Sequence, residues 1–130
     1  MKLFITVSFG DKKEEVERIC SLARSVGFED FCFVRDVENY EKIFDNPKDL
    51  MRRAKEEIEK SDALLIDVSD KPTGRAIELG IAYALNKKII VIMREGTPIK
   101  DTVRGVADLI IEYDDIADIT VGLKEFTNRS

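Results

Sequence analysis

Residues 63–68 (ALLIDV) and, after a short loop containing Pro72, residues 74–82 (GRAIELGIA) decide the fold. The first stretch has the length and apolar composition of a buried strand. The second predicts a helix that carries a carboxylate, Glu78, in its first turns. In a parallel sheet, ligands bind at the carboxyl ends of the strands, where loops lead into helix N-termini. We therefore expect Glu78 to lie at the mouth of a ligand crevice.

Predicted strands and helices alternate on both sides of this stretch. Such alternation implies a parallel sheet with right-handed crossovers. The predicted fold class is therefore α/β, a single three-layer flavodoxin- or Rossmann-like domain over residues 1–130, with five parallel strands in the order 2-1-3-4-5. The predicted strands are residues 2–9, 31–34, 63–68, 88–93 and 109–111, and the predicted helices are residues 16–26, 49–60, 73–86, 100–106 and 116–126, with a loop at 39–48.

Length and charge limit the class of protein. A chain of 130 residues is long enough for one domain with a sizeable core. The net charge of -5 argues against nucleic-acid binding, because proteins that bind the phosphate backbone present a basic face. No apolar run approaches the ~18 residues that cross a bilayer, and charged residues follow the first strand too soon for a signal peptide. We expect a cytoplasmic protein whose partner is a small molecule rather than a nucleic acid or a membrane.

The histidine and cysteine content limits the chemistry. The chain has no His, and its two cysteines, Cys20 and Cys32, fall in a helical and a strand pattern. The usual zinc sites are therefore excluded, and no metal or cofactor is predicted, which leaves metal-free chemistry or Mg²⁺ held by carboxylates. We expect both cysteines to be buried thiols, because a disulfide is unusual in a reducing compartment.

Three loops are expected to meet at the carboxyl edge of the sheet, namely residues 8–12, 67–74 and 94–98. Two helix starts offer free N–H groups there, basic side chains add positive charge, and glycines let the backbone approach a ligand. The residues concerned are Gly10, Lys12, Gly74 and Arg75. This arrangement predicts a phosphate-bearing small molecule, with the carboxylates of Asp67 and Glu78 nearby.

Most of these residues also have a purely structural interpretation. Gly10 and Gly74 are typical turn glycines, Asp67 is typical of a turn cap, and a helical Arg75 is commonly solvated. Glu78 is different, because it lies in a helix otherwise made mainly of small and aliphatic residues, which we expect to be buried on most sides. An unpaired carboxylate is costly in such a helix and indicates a functional role.

Residues 62–69 (DALLIDVS), 74–92 (GRAIELGIAYALNKKIIVI) and 103–108 (VRGVAD) resemble the nucleoside 2-deoxyribosyltransferase family, and within it the deoxynucleoside 5′-monophosphate N-glycosidases. The resemblance implies that Glu78 is the nucleophile that attacks the anomeric carbon and holds a covalent glycosyl intermediate, which water or a second base then releases. It also implies that the loops at 8–12 and 72–74 hold the 5′-phosphate of a nucleoside or nucleotide. A homodimer or higher oligomer is expected, with a neighbouring subunit completing each site. The residues expected to bind substrate are Ser8, Phe9, Gly10, Lys12, Pro72, Gly74, Arg75 and Lys100.

Several positions depart from the family pattern. Ala54 stands where members usually carry an Asp, and Phe4 stands in place of a Tyr. Lys100 aligns with an Asn or Ser that comes from the adjacent subunit, and Arg75 aligns with a Thr or Gly. Either another acid substitutes, with Asp67 and Asp70 as the expected catalytic acids and Glu57 as a further candidate, or the protein binds a nucleotide without turning it over.

Alternatives from other classes stay open. A catalytically inactive nucleotide-binding sensor on the same scaffold fits the loss of the acid at position 54. A receiver-like signalling module would use Asp67 as its phosphoacceptor, but the acidic pair that receivers carry after their first strand is missing from residues 7–10. A TIR-like NAD hydrolase would also place a Glu on a helix of such a sheet.

Overall fold

The computed structural model describes residues 1–7 and 13–129, and five parallel strands form its sheet in the order β2-β1-β3-β4-β5. The strands are β1 (Lys2–Thr6), β2 (Glu29–Cys32), β3 (Ala63–Asp67), β4 (Lys88–Arg94) and β5 (Leu109–Tyr113). In the register of the sheet, Phe4 lies opposite both Phe31 and Leu64, so β1 is central, as its β-rich, apolar sequence predicts. The predicted strand order is confirmed.

Helices cover both faces of the sheet. They are α1 (Lys13–Ser25), α2 (Phe33–Asp36), α3 (Pro47–Glu59), α4 (Gly74–Ala84), α5 (Asp101–Val106) and α6 (Ile119–Arg129), with a 3-10 turn at Ile116–Asp118. Alternate residues of each strand point to opposite faces, so Leu65 joins the core with α1 and α6, whereas Leu64 joins the core with α3 and α4. Two cores on the two faces of one parallel sheet make this a three-layer, flavodoxin-like α/β fold.

Among the differences between the predicted and the observed element boundaries, two bear on the site. The second strand ends at Cys32, because Phe33 begins a short helix whose Asp36 carboxylate accepts a 2.9 Å hydrogen bond from the Cys32 backbone N–H. The helix predicted from residue 49 begins at Pro47, because Asn46 caps it by accepting a hydrogen bond from the backbone N–H of Lys48, and proline fits the first helical turn.

The expectation that α4 is buried on most sides is also wrong. Leu79 and Ala82 pack against the sheet, but Ile77 and Tyr83 are 58% and 55% exposed. The apolar composition of α4 therefore comes from an exposed apolar face as well as from core contacts.

Candidate functional site

A cavity of about 330 Å³ opens at the carboxyl edge of the sheet, between the end of β1, the junction of β2 with α2, α3 and the beginning of α4. At this point β1 and β3 are neighbours in the sheet, but the helices that follow them, α1 and α4, cover opposite faces. Ligands usually bind at such a point in open α/β sheets. The polar lining residues are Thr6, Lys71, Thr73, Arg75 and Glu78, and the apolar ones include Phe33, Leu50, Met51 and Ala54.

Glu78 is half-buried in this cavity wall, in the second turn of α4. The side chains of Leu79 and Ala82 fix the helix on the sheet, and this packing places Glu78 beside the end of β1. There the buried hydroxyl of Thr6 donates a 2.7 Å hydrogen bond to Oε1 of Glu78. This hydrogen bond thus joins the end of the first strand to α4 at the predicted crevice.

The surroundings of Glu78 raise the pKa of its carboxyl group toward neutral pH. Burial raises the pKa of Glu78 to about 7, because the charged form loses solvation. The hydrogen bond from Thr6 and the charge of Arg75 act in the opposite direction, whereas the charge of Glu38 raises this pKa further. A carboxyl group with such a pKa is well matched to proton transfer or nucleophilic chemistry at physiological pH.

Arg75 is a cavity residue rather than a solvated one, with a side chain only 13% exposed. Its Nη1 donates to the backbone carbonyl of Asp67, and its Nη2 donates a 2.7 Å hydrogen bond to Oδ1 of Asp70. These bonds hold the guanidinium across the loop between β3 and α4, where it adds positive charge to the beginning of the helix.

The predicted acids lie outside the lining of this cavity. Asp67 Oδ1 accepts a hydrogen bond from the backbone N–H of Ser69. Its Oδ2 accepts a 2.8 Å hydrogen bond from the hydroxyl of Tyr113, the last residue of β5. Asp70 is exposed and is bonded to Arg75, and buried Glu57 pairs with Arg53 and Lys60. Within residues 1–7 and 13–129, Glu78 is therefore the one carboxylate that lines the cavity.

The predicted substrate-binding residues divide into three groups. Gly74 and Arg75 line the cavity, whereas Pro72 and Lys100 do not, and Lys100 is exposed just before α5. Ser8, Phe9, Gly10 and Lys12 lie outside the described residues.

The loop at 94–98 does not contribute to the cavity, contrary to expectation, and α3 takes its place. The crossover from β2 to β3 puts α3 on the same face as α4, so Leu50, Met51 and Ala54 close the cavity from that side. The apolar periodicity of α3 gave no sign of this role. Thr6 was also missed, although a polar residue within the apolar segment KLFIT is a usable signal.

No helix in residues 1–7 and 13–129 is long and apolar enough to cross a membrane. The same residues hold no group of three or more Cys, Asp or Glu side chains placed to bind a metal ion.

Known proteins resemble the chain over most of its length. A sequence model of the family described as nucleoside 2-deoxyribosyltransferase matches residues 6–122. The CMP N-glycosidase BcmB of Clostridium botulinum shares 20% identity over 97% of this chain and 99% of its own, with a TM-score of 0.73. A 2-deoxyribosyltransferase of Bacillus psychrosaccharolyticus shares 19% identity over 92% of this chain and 90% of its own, also with a TM-score of 0.73.

A conserved protein of Enterococcus faecalis V583 has a higher TM-score of 0.79, at 13% identity over 97% of this chain and 98% of its own. At these identities the solved structures establish a common fold. No curated protein sequence matches the chain.

Proposed function

The chain belongs to the nucleoside 2-deoxyribosyltransferase family, and we propose that it cleaves or transfers the N-glycosidic bond of a nucleoside or nucleotide with Glu78 as the nucleophile. The observation that carries this proposal is the position of Glu78 in the cavity wall, where Thr6 orients its carboxylate. An N-glycosidase from Clostridium botulinum and a 2-deoxyribosyltransferase from Bacillus psychrosaccharolyticus share the fold and support the reaction class.

The proposed reaction has two steps. A carboxylate oxygen of Glu78 attacks the anomeric carbon while the bond to the base nitrogen breaks, and the bonding electrons leave with the base. Water then attacks the same carbon in a hydrolase, or a second base attacks it in a transferase, and Glu78 is released with retention of configuration. Thr6 holds one carboxylate oxygen by its hydrogen bond, which leaves the other for the sugar.

Positive groups beside Glu78 favour a substrate with a 5′-phosphate. Lys71 and Arg75 line the cavity together with Thr73 and Gly74, at the beginning of α4. A helix N-terminus with adjacent cations stabilises a phosphate through its free N–H groups and through charge. The apolar part of the cavity, from Phe33 to the α3 residues, is then left for the base.

The proposed reaction also needs a proton donor to the departing base, and the predicted acids are held outside the cavity lining. Asp67 and Asp70, the predicted acids, would have to leave Tyr113 and Arg75 to reach a base in the cavity. Lys100 lies outside this cavity, so a role for it in binding rests on a neighbouring subunit.

One observation favours a second candidate function, a nucleotide-binding protein without turnover. Ala54 lies in the cavity wall, and the carboxylates of Asp67 and Asp70 are bonded elsewhere, so within residues 1–7 and 13–129 no second acid lines the cavity. Such a protein would bind the same ligands through Arg75 and the beginning of α4.

Release of free base from a panel of ribo- and deoxyribonucleosides and their 5′-monophosphates separates the two functions. The panel is measured with the wild-type protein, with Glu78→Ala and with Glu95→Ala, an exposed control outside the cavity. Release that is lost only in Glu78→Ala establishes the glycosidase. Saturable thermal stabilisation by one nucleotide, without release, establishes the binding protein and ends the catalytic proposal.

We also propose that two copies of the chain associate through α4. Ile77 and Tyr83 are large apolar side chains exposed on this helix, next to Gly80. Burying them would place a second subunit close to Glu78. Light scattering of the wild-type protein is expected to give a dimer, and Ile77→Lys and Tyr83→Lys to give a monomer, with Val121→Lys on α6 as the exposed control. A monomeric wild-type protein would contradict this arrangement.

A further inference from the structure

Arg75 is held in the cavity wall by acceptors that belong to the loop after β3. Its Nη1 donates to the backbone carbonyl of Asp67, and its Nη2 donates a 2.7 Å hydrogen bond to Oδ1 of Asp70. Both acceptors lie outside the cavity lining, whereas the Arg75 side chain is part of it. A guanidinium is planar and donates in fixed directions, so the position of this loop decides where the charge of Arg75 lies.

The loop is in turn fastened to β4 and β5, on the side of the sheet away from the cavity. The Asp67 carboxylate accepts 2.8 Å hydrogen bonds from the Tyr113 hydroxyl and from the backbone N–H of Ser69. The Ser69 hydroxyl lies 3.2 Å from the Tyr113 hydroxyl and accepts a 2.8 Å hydrogen bond from the backbone N–H of Arg94, the last residue of β4. Because Tyr113 gives its one hydroxyl proton to Asp67, Ser69 is the donor between the two hydroxyls. One connected set of hydrogen bonds therefore joins β4 and β5 to the loop that holds Arg75.

Tyr113 is the fixed end of this set of hydrogen bonds. It is only 4% exposed and packs in the core that faces α1 and α6, and the Arg94 guanidinium lies over its ring, 5.7 Å from the centroid. Burial raises the pKa of Tyr113 to about 12, and the hydrogen bond to Asp67 acts in the same direction, so the hydroxyl keeps its proton at physiological pH. Tyr113 lies outside the cavity lining, so it reaches a ligand only through the residues that it holds.

We propose that Tyr113 is a positioning residue for Arg75, acting through Asp67, and that it thereby sets the affinity of the cavity for a phosphate group. Asp67 then serves as a link rather than as an acid, because its carboxylate is held by Tyr113 while its carbonyl accepts from Arg75. Without the Tyr113 hydroxyl, the loop and the guanidinium have more positions available, and the ligand must bear the cost of ordering them. This inference rests on the proposed function, because it takes the phosphate of a nucleotide as the anion.

The first experiment titrates the full-length protein with inorganic phosphate, which carries the charge without a base or a sugar. Binding is followed by NMR at the backbone amide of Gly74, the first residue of α4. We expect saturable binding to the wild-type protein, about threefold to fivefold weaker binding to Tyr113→Phe, and about tenfold weaker binding to Arg75→Met. Thr97→Val removes a hydroxyl that donates to the Arg94 carbonyl at the same edge of the sheet, and it should bind phosphate as the wild type does. Wild-type affinity in Tyr113→Phe would overturn the proposal.

A double-mutant cycle distinguishes positioning of Arg75 from a general loss of structure. If Tyr113 acts through Arg75, adding Tyr113→Phe to Arg75→Met should change the phosphate affinity by less than about twofold. A further loss as large as in the single Tyr113→Phe variant would show independent effects and overturn the proposal. Asp67→Ala removes the same contact without a change in the core and should lose at least as much phosphate affinity as Tyr113→Phe, so the test does not depend on one variant's folding.

The result is separable from that of the proposed reaction. Base release and its loss in Glu78→Ala test the reaction, and neither measurement uses the phosphate titration. A wild-type protein that releases base but binds phosphate no more tightly than Arg75→Met would overturn this inference and leave the reaction standing. A phosphate affinity that depends on Tyr113, in a protein that releases no base, would support this inference and end the catalytic proposal.

Discussion

The Thr6 hydroxyl donates a 2.7 Å hydrogen bond to Oε1 of Glu78, and this contact joins the end of β1 to the second turn of α4. The two residues are far apart in the chain, and the parallel arrangement of β1 and β3 brings them together. The bond stabilises the ionised carboxylate in a position where burial favours the neutral one. It therefore opposes burial in setting the pH at which Glu78 loses its proton.

Removing this hydrogen bond is expected to shift the pH dependence of base release. In Thr6→Val the side chain keeps its shape but loses the hydroxyl that donates to Glu78, so the pKa of Glu78 rises further above about 7. The acid limb of the pH–rate profile should shift to higher pH by roughly one unit, because a hydrogen bond to a charged group contributes about 1.5 kcal/mol. Thr6→Ser retains the hydroxyl and should stay near the wild-type profile. An unshifted profile in Thr6→Val would mean that a different group sets the acid limb.

The raised pKa of Glu78 also predicts a pH-dependent stability. Because burial raises it from 4.5 to about 7, the unfolded chain loses this proton at lower pH than the folded protein does. The resulting destabilisation is absent below about pH 4.5 and complete above about pH 7. Glu78→Gln should therefore gain on the order of 2 kcal/mol in urea unfolding at about pH 8 and much less at about pH 5. Glu125→Gln, on the exposed side of α6, is the control, and an equal gain at both pH values would contradict the prediction.

A carboxylate at position 54 tests whether a missing acid limits turnover. Ala54 lines the cavity, so Ala54→Asp puts an acid in an apolar wall, where burial favours its protonated form. If the protein is a glycosidase that lacks a proton donor, base release should rise about tenfold or more. Ala54→Asn has the same size without an acidic proton and should give no gain. The Asp variant is expected to be less stable by about 1 to 3 kcal/mol.

Arg75 is expected to distinguish nucleotides from nucleosides. Arg75→Met removes a guanidinium from the cavity wall and should weaken binding of a 5′-monophosphate by about tenfold, with little effect on the matching nucleoside. Calorimetric titration of both ligands measures the difference. Arg104→Met removes an exposed charge on α5 outside the cavity and should change neither affinity. Equal losses for both ligands would indicate that Arg75 supports the loop rather than the phosphate.

A fold-level prediction concerns the contact between α6 and β5. A Cβ added to Gly122 would lie 2.7 Å from Cδ1 and 2.8 Å from Cγ1 of Ile111. Ile111 is buried and branched at Cβ, so it cannot move aside freely, and Gly122→Ala should lose about 1 to 3 kcal/mol of unfolding free energy. Gly105→Ala, with no atom within 4 Å of the added Cβ, should instead gain about 0.5 kcal/mol. Urea unfolding of both variants checks the difference in sign.

Local patterns predicted the sheet and the position of Glu78 well. Strands β3 and β4 are short apolar runs bounded by polar residues, and alternation with helices implied the parallel order, which the structure confirms. The switch of β2 into α2 at Phe33 was missed, because it depends on a hydrogen bond to the Asp36 carboxylate rather than on apolar periodicity.

The sequence by itself determined the strands and the helix that carries Glu78, because these depend on hydrophobic periodicity within single segments. The alternation of strands with helices, together with the general rules for right-handed crossovers, then implied the parallel sheet and its strand order. Only the tertiary structure decided which groups face Glu78. Thr6 reaches it because β1 pairs with β3, and Asp67 turns away because Tyr113 on β5 donates to it. Contacts between segments that are distant in the chain depend on packing and register, which no local pattern specifies.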